Sequence, residues 1–395
     1  MKICSALVQS AATFALFVLG FTPAIAATEK VLYNFPADAG PYGQPVQGGN
    51  GTLYGTAAWL DGNGAVYRLK EKNGVWKYKT LFDFDGNNGV EPDAGALFDR
   101  STGILYGATA RNVYSLAPAG RGWNETVLHN FNSNGTEGFY SFGMLLKDKS
   151  TGNLYGTTYY DGQYGCGTAF QLAPTNGNWT FSTIYSFQTA CYPWTQLKPG
   201  AKKGTLIGAS QYVSPPHAPG SLYGQVFELK QTGGVWNEQI LHTFSNGTDG
   251  AYPYDLDAAS DGTIYGITEW GGQNKYGVVF QLTPNGKGYT FSVIYTFLGG
   301  QNGDGENGVG ITFDPATGYL YGTTSGGDSA YKGTVFRLVK NGSTWTETVL
   351  HTFTGGADGA APQSRPTVDR TTGYLYGTTL YGGTNNGGTV YEIQP

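Results

Sequence analysis

Charge is scarce in this chain. Asp, Glu, Lys and Arg make up 13% of its 395 residues, against roughly 25% in an ordinary globular protein. The 23 basic residues are outnumbered by 28 acidic ones, which leaves no surface able to neutralise a run of phosphates and excludes nucleic-acid binding. Disorder is excluded for most of the chain as well, because it needs low hydrophobicity and high net charge, whereas here 15% of residues are aromatic and the net charge is -5. The motifs of common enzymes are also missing. There is no Gly-x-Ser-x-Gly elbow, no phosphate loop and no catalytic Cys with a partner His, and no cofactor is expected. The four histidines lack metal-ligand spacing, so no metal site is expected either.

Long apolar runs are confined to one place. Met1-Lys2 gives a short basic start, Ala11 to Phe21 is apolar, and Ala24-Ile25-Ala26 is a small-x-small cleavage site. Residues 1–26 therefore read as a signal peptide, too short in its apolar core for a membrane span. The mature chain, residues 27–395, is expected to be one soluble domain, secreted or periplasmic. Cleavage removes Cys4 and leaves Cys166 and Cys191 in a compartment that permits disulfides. Their pairing is expected, and closing a loop of this length contributes roughly 3 kcal/mol in the chain-entropy view.

What the chain has in excess is glycine, with 63 residues, and tyrosine, with 29. The glycines follow no three-residue period, which excludes collagen. They belong to a long repeat. The phrase at Leu53-Tyr54-Gly55 returns at Leu105-Tyr106-Gly107, Leu154-Tyr155-Gly156, Leu206-Ile207-Gly208, Ile264-Tyr265-Gly266, Leu320-Tyr321-Gly322 and Leu375-Tyr376-Gly377, with successive glycines 52, 49, 52, 58, 56 and 55 residues apart. After each copy comes an alternating apolar phrase such as Gly333-Thr334-Val335-Phe336, then a β-branched and aromatic phrase such as Trp345 to Phe353. A further short strand precedes each Leu-Tyr-Gly across a Gly-rich turn.

Four strands in about 50 residues is the arithmetic of a propeller blade. We label them A, B (Leu-Tyr-Gly), C (Gly-Thr-Val-Phe) and D (Trp to Phe), from hub to rim. Seven sets of A, B and C are present. The mature chain opens on a spare D strand, Val31 to Phe35, and stops after a C strand, Thr389 to Ile393. The expectation is an all-β, seven-bladed β-propeller whose last blade is completed by the N-terminal strand, leaving no open edge. The repeated Leu-Tyr-Gly-Thr-Thr, the Gly-Gly pairs at Gly326-Gly327 and Gly382-Gly383, and Gly-Thr-Val-Phe/Tyr resemble the exported bacterial tandem-repeat family GloVer over nearly the whole mature chain. That resemblance implies a propeller-like array and supplies no catalytic residues. Its members often carry an anchoring tail after the repeats, so surface anchoring is not expected of a chain that stops at Pro395.

Repetition separates structural from functional positions. His129, His242 and His351 share one place in strand D with Tyr33, Asp83, Tyr185 and Tyr295, so they read as packing and hydrogen-bonding residues, as do the in-register Trp76, Trp123, Trp179, Trp236 and Trp345. His217 stands alone in a Pro-rich loop. The acids Glu137, Asp249 and Asp358 precede glycine in the D-to-A loops, where a carboxylate can accept backbone N–H bonds. Six residues past the Leu of each Leu-Tyr-Gly stand Trp59, Arg111, Tyr160, Tyr212, Trp270, Gly326 and Tyr381. The B-to-C and D-to-A loops of a propeller share a face, so these side chains are ligand-binding candidates suited to stacking on sugars. Acids that break the pattern gather in blade 5: Asp255 and Asp257 share a face of strand A, and Glu269 adjoins Trp270. They are the candidates for catalysis, if any occurs. The expected function is non-catalytic binding of a glycan or an extracellular protein on the loop face. The alternatives are a polysaccharide hydrolase or lyase using the blade-5 carboxylates, and a structural interaction scaffold.

Overall fold

The computed structural model describes residues 27–132, 135–213, 223–286, 288–299, 308–326 and 332–395. The segment read as a signal peptide, Cys4, His217 and Gly327 lie outside them. The described chain forms seven antiparallel sheets arranged as the blades of a propeller. Blade 1 runs Val46–Gln47, Thr52–Ala57, Ala65–Lys72 and Val75–Asp83 from hub to rim. Blades 2 to 6 repeat that order, blade 5 for example as Ala251–Ala258, Ile264–Trp270, Val278–Pro284 and Tyr289–Thr296. In blade 7 the outermost strand is Thr28–Asn34, paired antiparallel with Thr389–Gln394 from Thr28 opposite Gln394 to Asn34 opposite Thr389. The ring closes as the spare strand predicts.

Each residue of Leu-Tyr-Gly has its own task. Neighbouring residues of a strand face opposite ways, so Leu53 packs toward blade 7 beside Leu32 and Phe35, and Tyr54 packs toward blade 2 beside Leu105 and Tyr114. The same alternation fills a hydrophobic core at every junction between blades. The strand D tryptophans complete these cores from outside. Trp123 meets Tyr54 edge-on at 5.9 Å, Trp179 meets Tyr106 at 5.9 Å, and Trp345 meets Tyr265 at 6.0 Å. Glycine completes the motif because the aromatic ring of strand C lies across it. A methyl group on Gly55, Gly107, Gly156, Gly208, Gly266, Gly322 or Gly377 would overlap Tyr67, Tyr114, Phe170, Phe227, Phe280, Phe336 or Tyr391 respectively. Beside that ring the C–D register slips once in each blade, as between Val113 and Tyr114, and such a bulge deepens the blade's twist.

The strand D histidines pack and hydrogen-bond. His129 stacks on Phe181 at 3.8 Å and its Nε2 meets Glu137 at 2.9 Å. His242 stacks on Phe291 at 3.7 Å and meets Asp249 at 3.2 Å. The same carboxylates accept the backbone N–H of Asn132 and Ser245, the role expected of acids at that turn.

Replacing Gly107 by Ala is expected to lower stability by about 1–3 kcal/mol through overpacking against Tyr114. The penalty should shrink in a Tyr114→Leu background. Equal penalties in the two backgrounds, measured by denaturant melts, would show that the ring is not the reason for the glycine.

Candidate functional site

The D-to-A and B-to-C connections meet on one face. Phe139 bridges Tyr160, Ala251 pairs with Trp270, and Ala360 pairs with Tyr381. Here the chain turns into the hub through a repeated left-handed residue: Gly40, Glu91, Tyr140, Tyr192, Tyr252 and Ala361 have φ of 61°, 54°, 64°, 60°, 55° and 54°. For a residue with a side chain that conformation costs on the order of 1–3 kcal/mol and persists only where its surroundings enforce it. Enforcement comes from the preceding blade. The amides of Glu91, Tyr140, Tyr192, Tyr252 and Ala361 donate to the carbonyls of Asn63, Ala110, Cys166, Tyr223 and Lys332 at 2.7–3.0 Å.

In six blades the turn delivers the side chain two residues beyond it to the channel: Tyr42, Asp93, Phe142, Trp194, Tyr254 and Gln363 line, with Val309, a cavity of about 80 Å³. In blade 4 the innermost strand is split into Ala190–Pro193 and Lys198–Pro199, and Trp194 sits in the gap. From the cavity outward, blades 3 to 5 build a continuous aromatic wall. Phe142 stacks on Trp194 at 4.0 Å, and Trp194 lies 5.2 Å from Tyr254. Tyr192 contacts Tyr159, Tyr160 and Tyr212 at 4.7, 5.8 and 5.9 Å, and Tyr212 reaches Tyr252 at 5.2 Å. The disulfide Cys166–Cys191, with Cα atoms 4.2 Å apart, joins blades 3 and 4 directly behind Tyr192.

One acid of blade 2, Asp93, lines the cavity, and a second, Glu91, precedes it by two residues. The Tyr140 hydroxyl donates to Glu91 Oε2 at 2.5 Å and also lies against Asp93. Burial raises the Asp93 carboxyl to about 7, opposed by the Tyr140 hydroxyl and helped by the Glu91 charge. Its Oδ1 is shielded from solvent and has no hydrogen-bond partner. Tyr254 feels the charges of both Glu269 and Asp93, and burial drives its hydroxyl well above the ordinary phenol range.

The expected ring and acid cluster are only partly assembled. Tyr160 and Tyr212 belong to the wall. Trp59 lies 5.3 Å from Tyr42, Tyr381 is 51% exposed and Trp270 is 42% exposed. Arg111 reaches the Gly86 carbonyl at 3.5 Å. Asp255 and Asp257 do share a face, but it is turned to blade 6, where they accept the amides of Ile311 and Phe313 at 3.0 and 2.9 Å. Arg365 pairs with Asp255 and lies 3.6 Å from Asp257, while Lys198 lies 3.5 Å from Asp257. Burial works against the Asp257 charge, but Lys198 and Arg365 outweigh it and hold that carboxyl below its ordinary range. Burial and the nearby Arg365 bring the Lys198 ammonium down to about 8. Glu269 faces the tyrosines Tyr159, Tyr252 and Tyr254 instead, and burial raises its carboxyl. Among the described residues no group of three His, Cys, Asp or Glu is placed to hold a metal ion.

Sequence reading missed Tyr42, Glu91, Asp93, Tyr140, Tyr192, Trp194, Tyr252 and Tyr254. A usable mark was present: Pro41, Pro92, Pro193, Pro253 and Pro362 recur between the left-handed residue and the channel residue. Aligned on them, Asp93 is the acid at a position otherwise held by Tyr42, Trp194, Tyr254 and Gln363.

A sequence profile of the Gloeobacter/Verrucomicrobia repeat matches residues 17–214 and 217–395. The chain belongs to that repeat family. No curated protein matches it significantly in sequence. Among solved structures, it is similar to a Bacteroides uniformis protein provisionally assigned as a 6-phosphogluconolactonase, at 13% identity and TM-score 0.56 over 82% of this chain and 88% of that one. It is also similar to a Lactobacillus plantarum protein, at 13% identity and TM-score 0.52 over 82% and 86%, and to a Mycobacterium tuberculosis puromycin-hydrolyzing peptidase, at 11% identity and TM-score 0.55 over 87% and 52%. At these identities the likeness is one of fold.

Two outcomes follow from the hub and the disulfide. Arg365→Ala leaves two buried carboxylates short of a cation and should destabilise the protein by about 3–5 kcal/mol in a denaturant melt. A loss below 1 kcal/mol would show that the Asp255 and Asp257 charges do not depend on it. The unreduced protein should weigh two hydrogens less than the reduced one, and replacing Cys166 and Cys191 together by Ser should cost about 2–4 kcal/mol. Full alkylation of both thiols without reductant contradicts the pairing.

Proposed function

We propose that this member of the repeat family is an exported binding protein that holds a carbohydrate against the aromatic wall of blades 3 to 5. The observation that carries this reading is the ring path from Tyr160 through Tyr192 and Tyr212 to Tyr252 and from Trp194 to Tyr254. It is set beside a polar cavity and held by strained backbone. Rigid aromatic faces suit the apolar faces of sugar rings, and buried aromatic anchors dominate binding energy elsewhere. Trp59, Tyr160, Tyr212, Trp270 and Tyr381 widen the surface, with Arg111 and Glu269 as polar orienting groups. Export agrees with the Cys166–Cys191 disulfide, and among the described residues no helix is long and apolar enough to cross a membrane.

Hydrolysis is the second reading. It is favoured by one observation, the Asp93 carboxyl lifted to about 7, which suits a general acid. The hub pairings of Asp255 and Asp257 count against a catalytic role for them.

A glycan screen of the mature protein tests the first reading. For a glycan that binds, Tyr192→Ala and Trp270→Ala should each weaken affinity by about 2 kcal/mol, close to 30-fold, with little change in melting temperature for Trp270→Ala. Trp345→Ala should instead lower the melting temperature and leave affinity alone. If Trp270→Ala and Tyr192→Ala bind as well as the unmodified protein, the wall is packing only. Shortened glycan products that vanish in Asp93→Asn would establish the hydrolytic reading in its place.

A further inference from the structure

The junction between blades 3 and 4 is open on the face opposite the aromatic wall, where strands A and B are joined. In blades 2 and 6 a phenylalanine of strand A, Phe98 or Phe313, lies on the Leu-Tyr-Gly tyrosine of the preceding blade, Tyr54 at 4.9 Å and Tyr265 at 5.2 Å. Those phenylalanines pair with Leu105 and Leu320 of strand B. The residue paired with the equivalent Leu206 of blade 4 is Pro199, which has no aromatic ring to lay on Tyr155. A groove of about 730 Å³ lies there instead, lined by Tyr155 and by Trp236, which meets Tyr155 edge-on at 6.2 Å. The corresponding groove between blades 7 and 1, beside Tyr376 and Trp76, measures about 230 Å³. Only the larger of the two falls within the range of small-molecule sites, roughly 300–1,000 Å³.

The A-to-B turn of blade 4 also changes the charge of the groove. In blades 2, 3, 6 and 7 this turn opens with an aspartate, Asp99, Asp148, Asp314 or Asp369, whose carboxylate accepts the N–H two residues on. In blade 4 it reads Gly200-Ala201-Lys202-Lys203-Gly204, with lysines where blade 2 has Ser101 and Thr102. Thr205 holds it instead, its N–H and hydroxyl donating to the Lys202 carbonyl at 3.2 and 2.8 Å. Lys149 lines the groove from blade 3. Lys149, Lys202 and Lys203 are exposed and have no carboxylate within ion-pair distance among the described residues, whereas Lys147 pairs with Asp99 at 2.6 Å. The one acid on the groove, Asp148, is taken up by its own turn, accepting the Ser150 N–H and hydroxyl at 2.8 Å and the Thr151 hydroxyl at 2.9 Å. A cleft lined by one sign of charge gathers ligands of the other.

The uncharged lining narrows the class. Gln171 and Gln231 bring side-chain amides that make no hydrogen bond among the described residues. Each amide donates and accepts, as a sugar hydroxyl does in return. We propose that the groove between blades 3 and 4 binds an acidic oligosaccharide, its rings against Tyr155 and Trp236, its hydroxyls on Gln171 and Gln231, and its carboxylates answered by Lys149, Lys202 and Lys203. The site is at the other end of the strands from the aromatic wall and does not rest on the reading given to that wall.

The test is calorimetry in low salt with two β-1,4-linked tetramers, of mannuronate and of mannose, which differ only in the carboxylate that replaces each hydroxymethyl group. A third probe, tetraglutamate blocked at both ends, carries as many carboxylates on no sugar. The mannuronate tetramer is expected to bind at least tenfold more tightly than either of the others, and K202Q/K203Q should remove that preference. Pro199→Phe, which restores the ring present in blades 2 and 6, should abolish mannuronate binding without lowering the melting temperature; if that variant fails to fold, K202Q/K203Q decides. Trp270→Ala, on the opposite face, should leave mannuronate binding unchanged. Tetraglutamate binding as tightly as the mannuronate tetramer shows a patch that reads charge alone and overturns the glycan assignment, and equal binding of mannotetraose overturns the acidic class. A loss in Trp270→Ala with none in K202Q/K203Q puts the ligand on the wall and overturns the groove, as does failure of all three probes to bind.

Discussion

The aromatic ring of strand C laid across the glycine of strand B is the contact on which the propeller depends. It lets two strands approach with a large side chain between the blades, and it recurs in all seven. Because Leu and Tyr precede that glycine on alternating faces, the same three residues weld each blade to both neighbours. A blade alone would leave one face of Leu and one of Tyr bare, so stability comes from the ring and not from the unit. Tyr67, Tyr114 and Tyr391 keep buried hydroxyls without partners at this position, where four other blades have Phe. The ring, not the hydroxyl, carries the contact.

That rigidity lets the loop face hold strained backbone. A tyrosine in the left-handed region is unfavourable by itself, yet Tyr140, Tyr192 and Tyr252 are each held there by a carbonyl of the preceding blade. The repeat thus serves two ends at different radii. Positions that are alike in every blade build the junctions, and the turn into the hub, alike in backbone in the six blades where it is described but varied in side chain, presents Tyr, Asp, Phe, Trp or Gln to the channel. Variation at constant backbone is how one scaffold accepts different ligands without changing its fold.

Much of the architecture was legible because it rests on neighbours in sequence. Strand identity, blade number and the closing strand follow from alternation and from counting, and the structural roles of His129, His242, His351 and the strand D tryptophans follow from their recurrence. The site was less legible. The six-residue offset after Leu selected side chains at the outer rim of the face, and only Tyr160 and Tyr212 join the wall. Asp255 and Asp257 broke the pattern for a structural reason, since they accept backbone amides of blade 6 and pair with Lys198 of blade 4 and Arg365 of blade 7. Asp93 broke it too, but inside a connection whose length differs from blade to blade, where spacing alone gives no alignment.

The chain's own order of residues determines the repeat, the sheet-forming periods, the glycine at each ring contact and the pairing of two cysteines that close a short loop. These are local or periodic properties, set by the alternation of side chains along a strand and by the space a Cβ would need. The company of each hub residue is decided only when the ring closes. Arg365 meets Asp255 across 110 residues, and Tyr140 meets Glu91 across 49. Whether a carboxylate finds a guanidinium, a backbone amide or nothing depends on which blades face each other across the channel, and no spacing along the chain encodes that distance.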